Sequence, residues 1–320
     1  MPVKRAICFI LWLVLQGAAV NSQTCNFSNT GLNFGNINLV NGTAFSSTGT
    51  FTATCTGLAG QSVRICANFN DGSGGSNATG SERYMLRGLT ALKYNIYSNA
   101  GRNKIWGSNT WGKPPGPPNI SLTLNAAGSG STSQPVYGQI FAAQTSMPTG
   151  TFLSDFGGIN TVIGYSYTGG PPCQSIVASN LVTVPFTVVA TNNSTCTVST
   201  TNLDFGSSAN LSANRDTTNN VAITCTTGTL YQVGLNGGLA NATNPALRHM
   251  TNSSTSQYVT YGIYRDAGRT LPWGNISGSN TMSATGTGLV QNFVGYGRVP
   301  AQATPAGLVY TDTVVVTVTY

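Results

Sequence analysis

Tyr94-Asn95-Ile96-Tyr97-Ser98-Asn99-Ala100-Gly101-Arg102, followed by Trp106-Gly107, returns in the second half of the chain as Tyr261-Gly262-Ile263-Tyr264-Arg265-Asp266-Ala267-Gly268-Arg269, followed by Trp273-Gly274. A second pattern precedes each copy. Cys25, Leu32-Asn33-Phe34-Gly35 and Cys55 recur as Cys196, Leu203-Asp204-Phe205-Gly206 and Cys225. Tyrosine to tryptophan is twelve positions in both copies (94 to 106, 261 to 273), and cysteine to glycine is ten in both (25 to 35, 196 to 206). A register kept twice over such spacings marks a tandem duplication. The endings differ. The first copy runs on through Leu181 to Ala190, whereas the second closes on Thr313 to Tyr320. A β-domain one strand short has to borrow one, and this asymmetry is the main pointer to function.

Helical periodicity is nearly absent. The apolar runs are short, β-branched and bounded by Gly, Asn, Ser and Pro, the pattern of sandwich strands. Strands are expected over Thr50–Cys55, Ser62–Ala67, Lys93–Tyr97, Ser121–Leu124, Val136–Ala142 and Val162–Tyr167 in the first copy. In the second they are expected over Asn220–Cys225, Tyr231–Leu235, Tyr258–Tyr264, Leu289–Tyr296 and Thr311–Tyr320. The fold class is therefore all-β: two tandem immunoglobulin-like sandwiches, each of two antiparallel sheets. A length of 320 residues suits two such cores. The expected division is a signal peptide over 1–22, a first domain over 23–190, a polar linker over 191–195 and a second domain over 196–320.

The signal peptide is read from Lys4 and Arg5 ahead of the apolar run Ala6 to Leu15, with small residues placing cleavage after Ala19 or Ser22. No other segment is long and apolar enough to cross a membrane as a helix. Seven cysteines include Cys8 within the leader, leaving six. An even count in an exported chain argues for disulfides. The duplication proposes Cys25–Cys55 and Cys196–Cys225 as equivalent bridges and leaves Cys66–Cys173 to the first domain. Zinc is the rival use, but there is no Cys-x-x-Cys pair and only one histidine, His249. Neither a metal nor a cofactor is called for.

Charged residues make up 7% of the chain, with 14 basic and 7 acidic side chains. The bases are dispersed rather than clustered along a phosphate track, which argues against nucleic acid as a partner. Catalysis has little to stand on. The seven acids form no close pair for acid–base work, no nucleophile pattern accompanies His249, and no Gly-Lys-Ser/Thr loop occurs.

The second copy ends in a clean alternation in which Val314, Val316, Val318 and Tyr320 share one face. Its counterpart, Thr161 to Tyr167, is followed by the turn Gly169-Gly170-Pro171-Pro172, by Cys173 and by a further strand, Leu181 to Ala190. Pro185 within that strand lacks an N–H and favours an edge. The second domain is thus expected to lack its last strand. It would leave an apolar groove along Val314, Val316, Val318 and Tyr320, beside an edge that aggregates unless filled. Insertion of an extended segment from another chain is the remedy.

The Cys…Phe-Gly…Cys pattern, the Tyr-x-Ile-Tyr…Trp-Gly block and the closing Thr-Val-x-Val-Thr-Val-x-Tyr strand resemble the spore coat protein U domain over essentially all of residues 25 to 320. That family includes subunits of the archaic, Csu-type chaperone–usher pili. The resemblance implies an incomplete pilin held by a periplasmic chaperone, passed to an outer-membrane usher and completed by a strand from the adjacent subunit. Two-domain members resemble tip adhesins, exported through the periplasm to the fimbrial tip, where they attach cells to abiotic or host surfaces and support biofilms. The short stretch between the cleavage site and Cys25 fits a subunit that accepts a strand and donates none. The alternative is a coat or shaft subunit without binding activity of its own.

Candidate binding residues come from loops. Trp106 has a counterpart in Trp273, which argues for packing, but Trp111 has none. It stands beside Pro114, Pro115, Pro117 and Pro118, and an aromatic side chain on a stiff loop binds with little ordering cost. The other reading has Trp111 folded back onto the sandwich. Met147 in Met147-Pro148-Thr149-Gly150 and Phe156 in Leu153-Ser154-Asp155-Phe156-Gly157-Gly158 mark two further candidate tips. An apolar surface and a sugar remain alternative ligands.

Overall fold

The structure, a computed structural model, describes residues 22–167, 172–173 and 181–320. The expected leader (apart from Ser22) and the turn at Gly169-Gly170-Pro171 lie outside the described residues. In the first half the strands are β1 (Thr24–Asn29), β2 (Leu32–Ile37), β3 (Phe45–Thr56), β4 (Ser62–Phe69), β5 (Arg83–Arg87) and β6 (Thr90–Tyr97). They continue as β7 (Ile120–Thr123), β8 (Ser129–Ile140), β9 (Gly150–Phe156), β10 (Thr161–Tyr167), β11 (Leu181–Thr183) and β12 (Phe186–Asn192). The second half adds β13 (Cys196–Thr200), β14 (Arg215–Cys225), β15 (Leu230–Leu235), β16 (Arg248–Thr251), β17 (Tyr258–Tyr264), β18 (Met282–Thr285), β19 (Val290–Val299) and β20 (Val316–Thr319). The protein is all-β, in two domains of two sheets each.

Alternation builds these strands. Along β3, Phe51, Ala53 and Cys55 turn inward while Thr52 and Thr54 face out. There they meet Ser133 and Ser131 of β8 through hydroxyl–hydroxyl bonds of 3.1 Å each. The duplicated Ala-Gly-Arg turn ends on a left-handed non-glycine residue in both domains, Arg102 at φ 50° and Arg269 at φ 56°. Each arginine Nε donates across to the next strand, to Gly138 O at 3.3 Å and Gly297 O at 3.1 Å. Trp106 and Trp273 are buried. Their indole nitrogens donate to Ala67 O (2.8 Å) and Val233 O (2.9 Å), tying one sheet to the other. The motif that revealed the duplication is a packing device.

In the first domain the larger sheet runs β1-β3-β8-β6-β5-β9-β12-β2 and the smaller β11-β10-β4-β7. In the second the orders are β13-β14-β19-β17-β16 and β18-β15-β20. The registers match the two domains residue by residue: Ala67 pairs with Ile163 as Val233 pairs with Val318, and Leu86 meets Leu153 as Thr251 meets Thr311. The chain after β10 crosses between sheets, pairing first with β10 through β11 and then lying between β9 and β2 as β12. Pro185 sits at that crossing, not on an edge. Its missing donor costs nothing because the ladder is already broken there. A second correction concerns Leu153–Phe156, which belong to β9 inside the large sheet, with Phe152, Ser154 and Phe156 turned into the core.

Candidate functional site

The second domain has no counterpart of β11 and β12 among its described residues, and the consequences run through its packing. Among the described residues the first core holds 29 buried residues with 6 partly buried hydrophobics around it, and the second holds 11 with 12. Those twelve include Leu203, Phe205, Tyr310, Val314, Val316 and Val318. Their first-domain equivalents Leu32, Phe152, Phe156, Thr161 and Ile163 are buried, Phe34 alone among the equivalents staying partly exposed. The missing cover is β12, whose Phe186, Val188 and Ala190 lie in the core. Leu203-Asp204-Phe205-Gly206 has the β2 sequence pattern but forms no strand, since among the described strands β2 itself pairs with β12 alone. Leu308 to Thr311, in the place of β9, makes a single bridge, Thr251 to Thr311.

The result is an apolar face left partly uncovered along the edge of the smaller sheet. Val314, Val316 and Val318 point inward and stay partly exposed; β20 pairs with β15 on one side and with nothing described on the other. Tyr320, expected on the same face, is 57% exposed. It borders a shallow cavity of about 390 Å³ shared with Leu230, Tyr231, Ala284 and Thr319. Asp312, just before this face, accepts from the Tyr261 hydroxyl at 2.6 Å and from Leu239 N at 2.7 Å. Burial first, and then that bond, hold the Tyr261 hydroxyl well above its ordinary pKa.

Three disulfides are present: Cys25–Cys55, Cys66–Cys173 and Cys196–Cys225. The first and third link the opening strands β1–β3 and β13–β14 at matching positions.

The loop residues fare differently from their sequence reading. Trp111 does not project. Its ring lies over the Arg83 guanidinium, 4.7 Å from centroid to Cζ, and so close to Gly80 that a Cβ there would sit 2.7 Å from the indole. Arg83 is fully buried and explains this. It donates to Asn70 O (2.7 Å), Phe69 O (2.7 Å), Trp106 O (2.8 Å) and Asn95 Oδ1, and burial pulls its pKa down to about 10. The indole closes the last face of a desolvated cation. Lys113, paired with Asp71 at 2.9 Å, pins the same loop. Pro114 and Pro115 are exposed, Pro118 is half-buried and Pro117 is buried.

Met147 is no free tip either. It packs against the core, and its carbonyl and that of Pro148 accept from the buried Asn192 amide at 3.1 Å each. The adjacent Pro148 bridges Thr227 of the second domain. Phe156 is buried, stacked on Phe186 at 4.4 Å. Sequence reading missed Arg83 and its twin Arg248, which donates to Leu235 O, Asn236 O, Pro245 O and Trp273 O. Both open the strand that pairs with the motif tyrosine, Arg83 opposite Tyr94 and Arg248 opposite Tyr261, and that repeated placement was the available signal.

The end of the first domain away from Pro148 carries two touching loops. Gly57 N donates to Gly128 O and Gly60 N to Leu124 O, and between them Leu58, Ala59, Ala126 and Ala127 are exposed. His249 stacks on Tyr258 at 4.0 Å. Among the described residues no three His, Cys, Asp or Glu side chains gather as for a metal.

The family model of the spore coat protein U domain matches residues 12–156 and again 182–317. The chain belongs to that family. Among curated members it is similar to Protein U of Myxococcus xanthus, at 35% identity over 108 residues, which is 32% of this chain and 59% of that protein's length. A solved chain from the CsuC–CsuE chaperone–tip adhesion subunit pre-assembly complex of the archaic chaperone–usher Csu pili of Acinetobacter baumannii superposes with a TM-score of 0.55. The match covers 93% of this chain and 100% of that one at 17% identity, which establishes a shared fold. The CupB6 tip adhesin of Pseudomonas aeruginosa aligns over 92% of this chain and 94% of its own, with a TM-score of 0.39 and 10% identity.

Proposed function

We propose that this chain is the tip adhesin of an archaic chaperone–usher pilus. The second domain is a pilin whose groove is held by a periplasmic chaperone, passed to the usher and then filled by a strand from the adjacent subunit. The observation that carries this is the pair of unequal domains: β11 and β12 close the first, and nothing described closes the second. The fold shared with a Csu chaperone–tip adhesion subunit complex supports it. The first domain, closed in cis by β11 and β12, acts by contact. It is displayed at the cell surface for attachment to abiotic or host surfaces and for biofilm formation.

Attachment is assigned to the end remote from the pilin domain, where Leu58, Ala59, Ala126 and Ala127 offer apolar loop tips on an anchored double turn. An apolar surface is the ligand class such tips fit. The test uses two substitutions. Val316→Asp places a charge in the groove and should abolish export and fibre incorporation, while Leu58→Asp should leave fibres intact and reduce cell attachment to polystyrene at least severalfold. Normal secretion of the first variant would defeat the groove assignment. Full attachment by fibres carrying the second would leave the chain a structural subunit.

A further inference from the structure

We propose that the strand closing the second domain carries the side-chain order of the first domain's own β11–β12, with an aromatic residue at its centre and alanine four positions later. This rests on the groove reading above and specifies its occupant. The registers place Val318 and Val316 where Ile163 and Thr161 stand in the first domain, and counting from the Thr251–Thr311 bridge puts Tyr310 and Val314 where Phe152 and Phe156 stand. There, Val182 pairs with Ile163, Val184 O accepts from Thr161, Phe186 pairs with Phe156, and Ala190 pairs with Phe152. Val188 lies between Ser154 and Leu32, whose equivalents are Asp312 and Leu203.

The two floors differ most at the centre. Phe186 is held by the rings of Phe156 at 4.4 Å and Phe69 at 4.9 Å. At those two positions the second domain has Val314 and Leu235, so two rings are replaced by smaller aliphatic side chains that fill less of the space beneath an incoming strand. A close-packed interior does not tolerate such a gap, so the incoming central side chain has to be at least as large as phenylalanine. Four positions on, Tyr310 replaces Phe152 and leaves no extra room, and a small residue is required. At the flanking sites, Val316 and Val318 present β-branched side chains like those the first domain pairs with valine. The occupant is an extended peptide that runs antiparallel to β20, as β11 does to β10, in the order β-branched, β-branched, aromatic, β-branched, alanine at alternate positions.

The test appends three segments to the carboxyl end of the full chain through a flexible linker matching the span from Tyr165 to Leu181. One is a copy of Leu181–Asn192, the second is the same copy with its phenylalanine and alanine exchanged, and the third is a Ser/Thr-only control. Hydrogen exchange of the β20 amides is the readout. The faithful copy should slow exchange about a hundredfold over the control, the scale expected for one large buried aromatic, and the exchanged copy should not. Equal protection by the exchanged copy overturns the side-chain order and leaves the groove intact. No protection by either copy overturns the groove reading itself.

Discussion

Replacing Trp111 by alanine separates a lid from an adhesive residue. The indole covers Arg83, a guanidinium that is fully buried and bonded to three main-chain carbonyls and Asn95. Truncation removes a cation–π contact to a desolvated cation, about 2 kcal/mol. It also removes part of the roughly 3–5 kcal/mol that a fully buried tryptophan contributes, part because Trp111 is only half-buried. The sum is roughly 3 kcal/mol. For a domain of this size each kcal/mol moves the midpoint by about 2–4 °C, so the first domain should melt about 6–12 °C lower. Trp111→Phe keeps a ring over the guanidinium and should recover most of the loss. Calorimetry on the full chain reads both domains at once, and the second transition should not move. An unchanged first transition combined with lost attachment would refute the lid and restore Trp111 as a binding residue.

Two other outcomes follow from the same geometry. Replacing Cys66 and Cys173 together opens a closure of 107 residues and should cost the first domain about 4–5 kcal/mol, read as a shift in its denaturant midpoint alone. Burial holds the Tyr94 hydroxyl at about 12, while an unfolded tyrosine ionises near 10. Its contribution is therefore fully present below about pH 10 and is lost as the pH rises through about 12, because the unfolded chain releases a proton that the folded one keeps. Tyr94→Phe should flatten that alkaline decline in denaturant titrations of the first domain. An unaltered slope would contradict burial as the cause.

Much of the fold was legible because one-sided strands announce themselves. Thr50–Cys55 and the closing Val314, Val316, Val318 series alternate without interruption. The uncovered apolar edge of the second domain was legible for the same reason, aided by a duplicated partner that showed what a finished domain contains. β9 was not. Exposed Leu153 interrupts the alternation of Phe152, Ser154 and Phe156, and turn-forming residues at Pro148–Gly150 and Gly157–Gly158 make the segment read as a loop. β2 was missed because its one partner, β12, lies some 150 positions away, and only tertiary pairing makes it a strand. Trp111 misled for a related reason. Whether a tryptophan beside prolines projects or folds back depends on what lies beneath it, and the Arg83 cation there is held by carbonyls of Phe69, Asn70 and Trp106, brought together from separate parts of the chain.

The position of β12 also determines how the molecule carries load. A pull on Cys196 enters the first domain at Asn192 and travels along the axis of β12, which is bonded to β9 on one flank and β2 on the other. The bonds to both neighbours lie across that axis, so they are strained together in shear and cannot peel apart one at a time. A first domain held at its far end and pulled through this strand would resist extraction with both ladders at once.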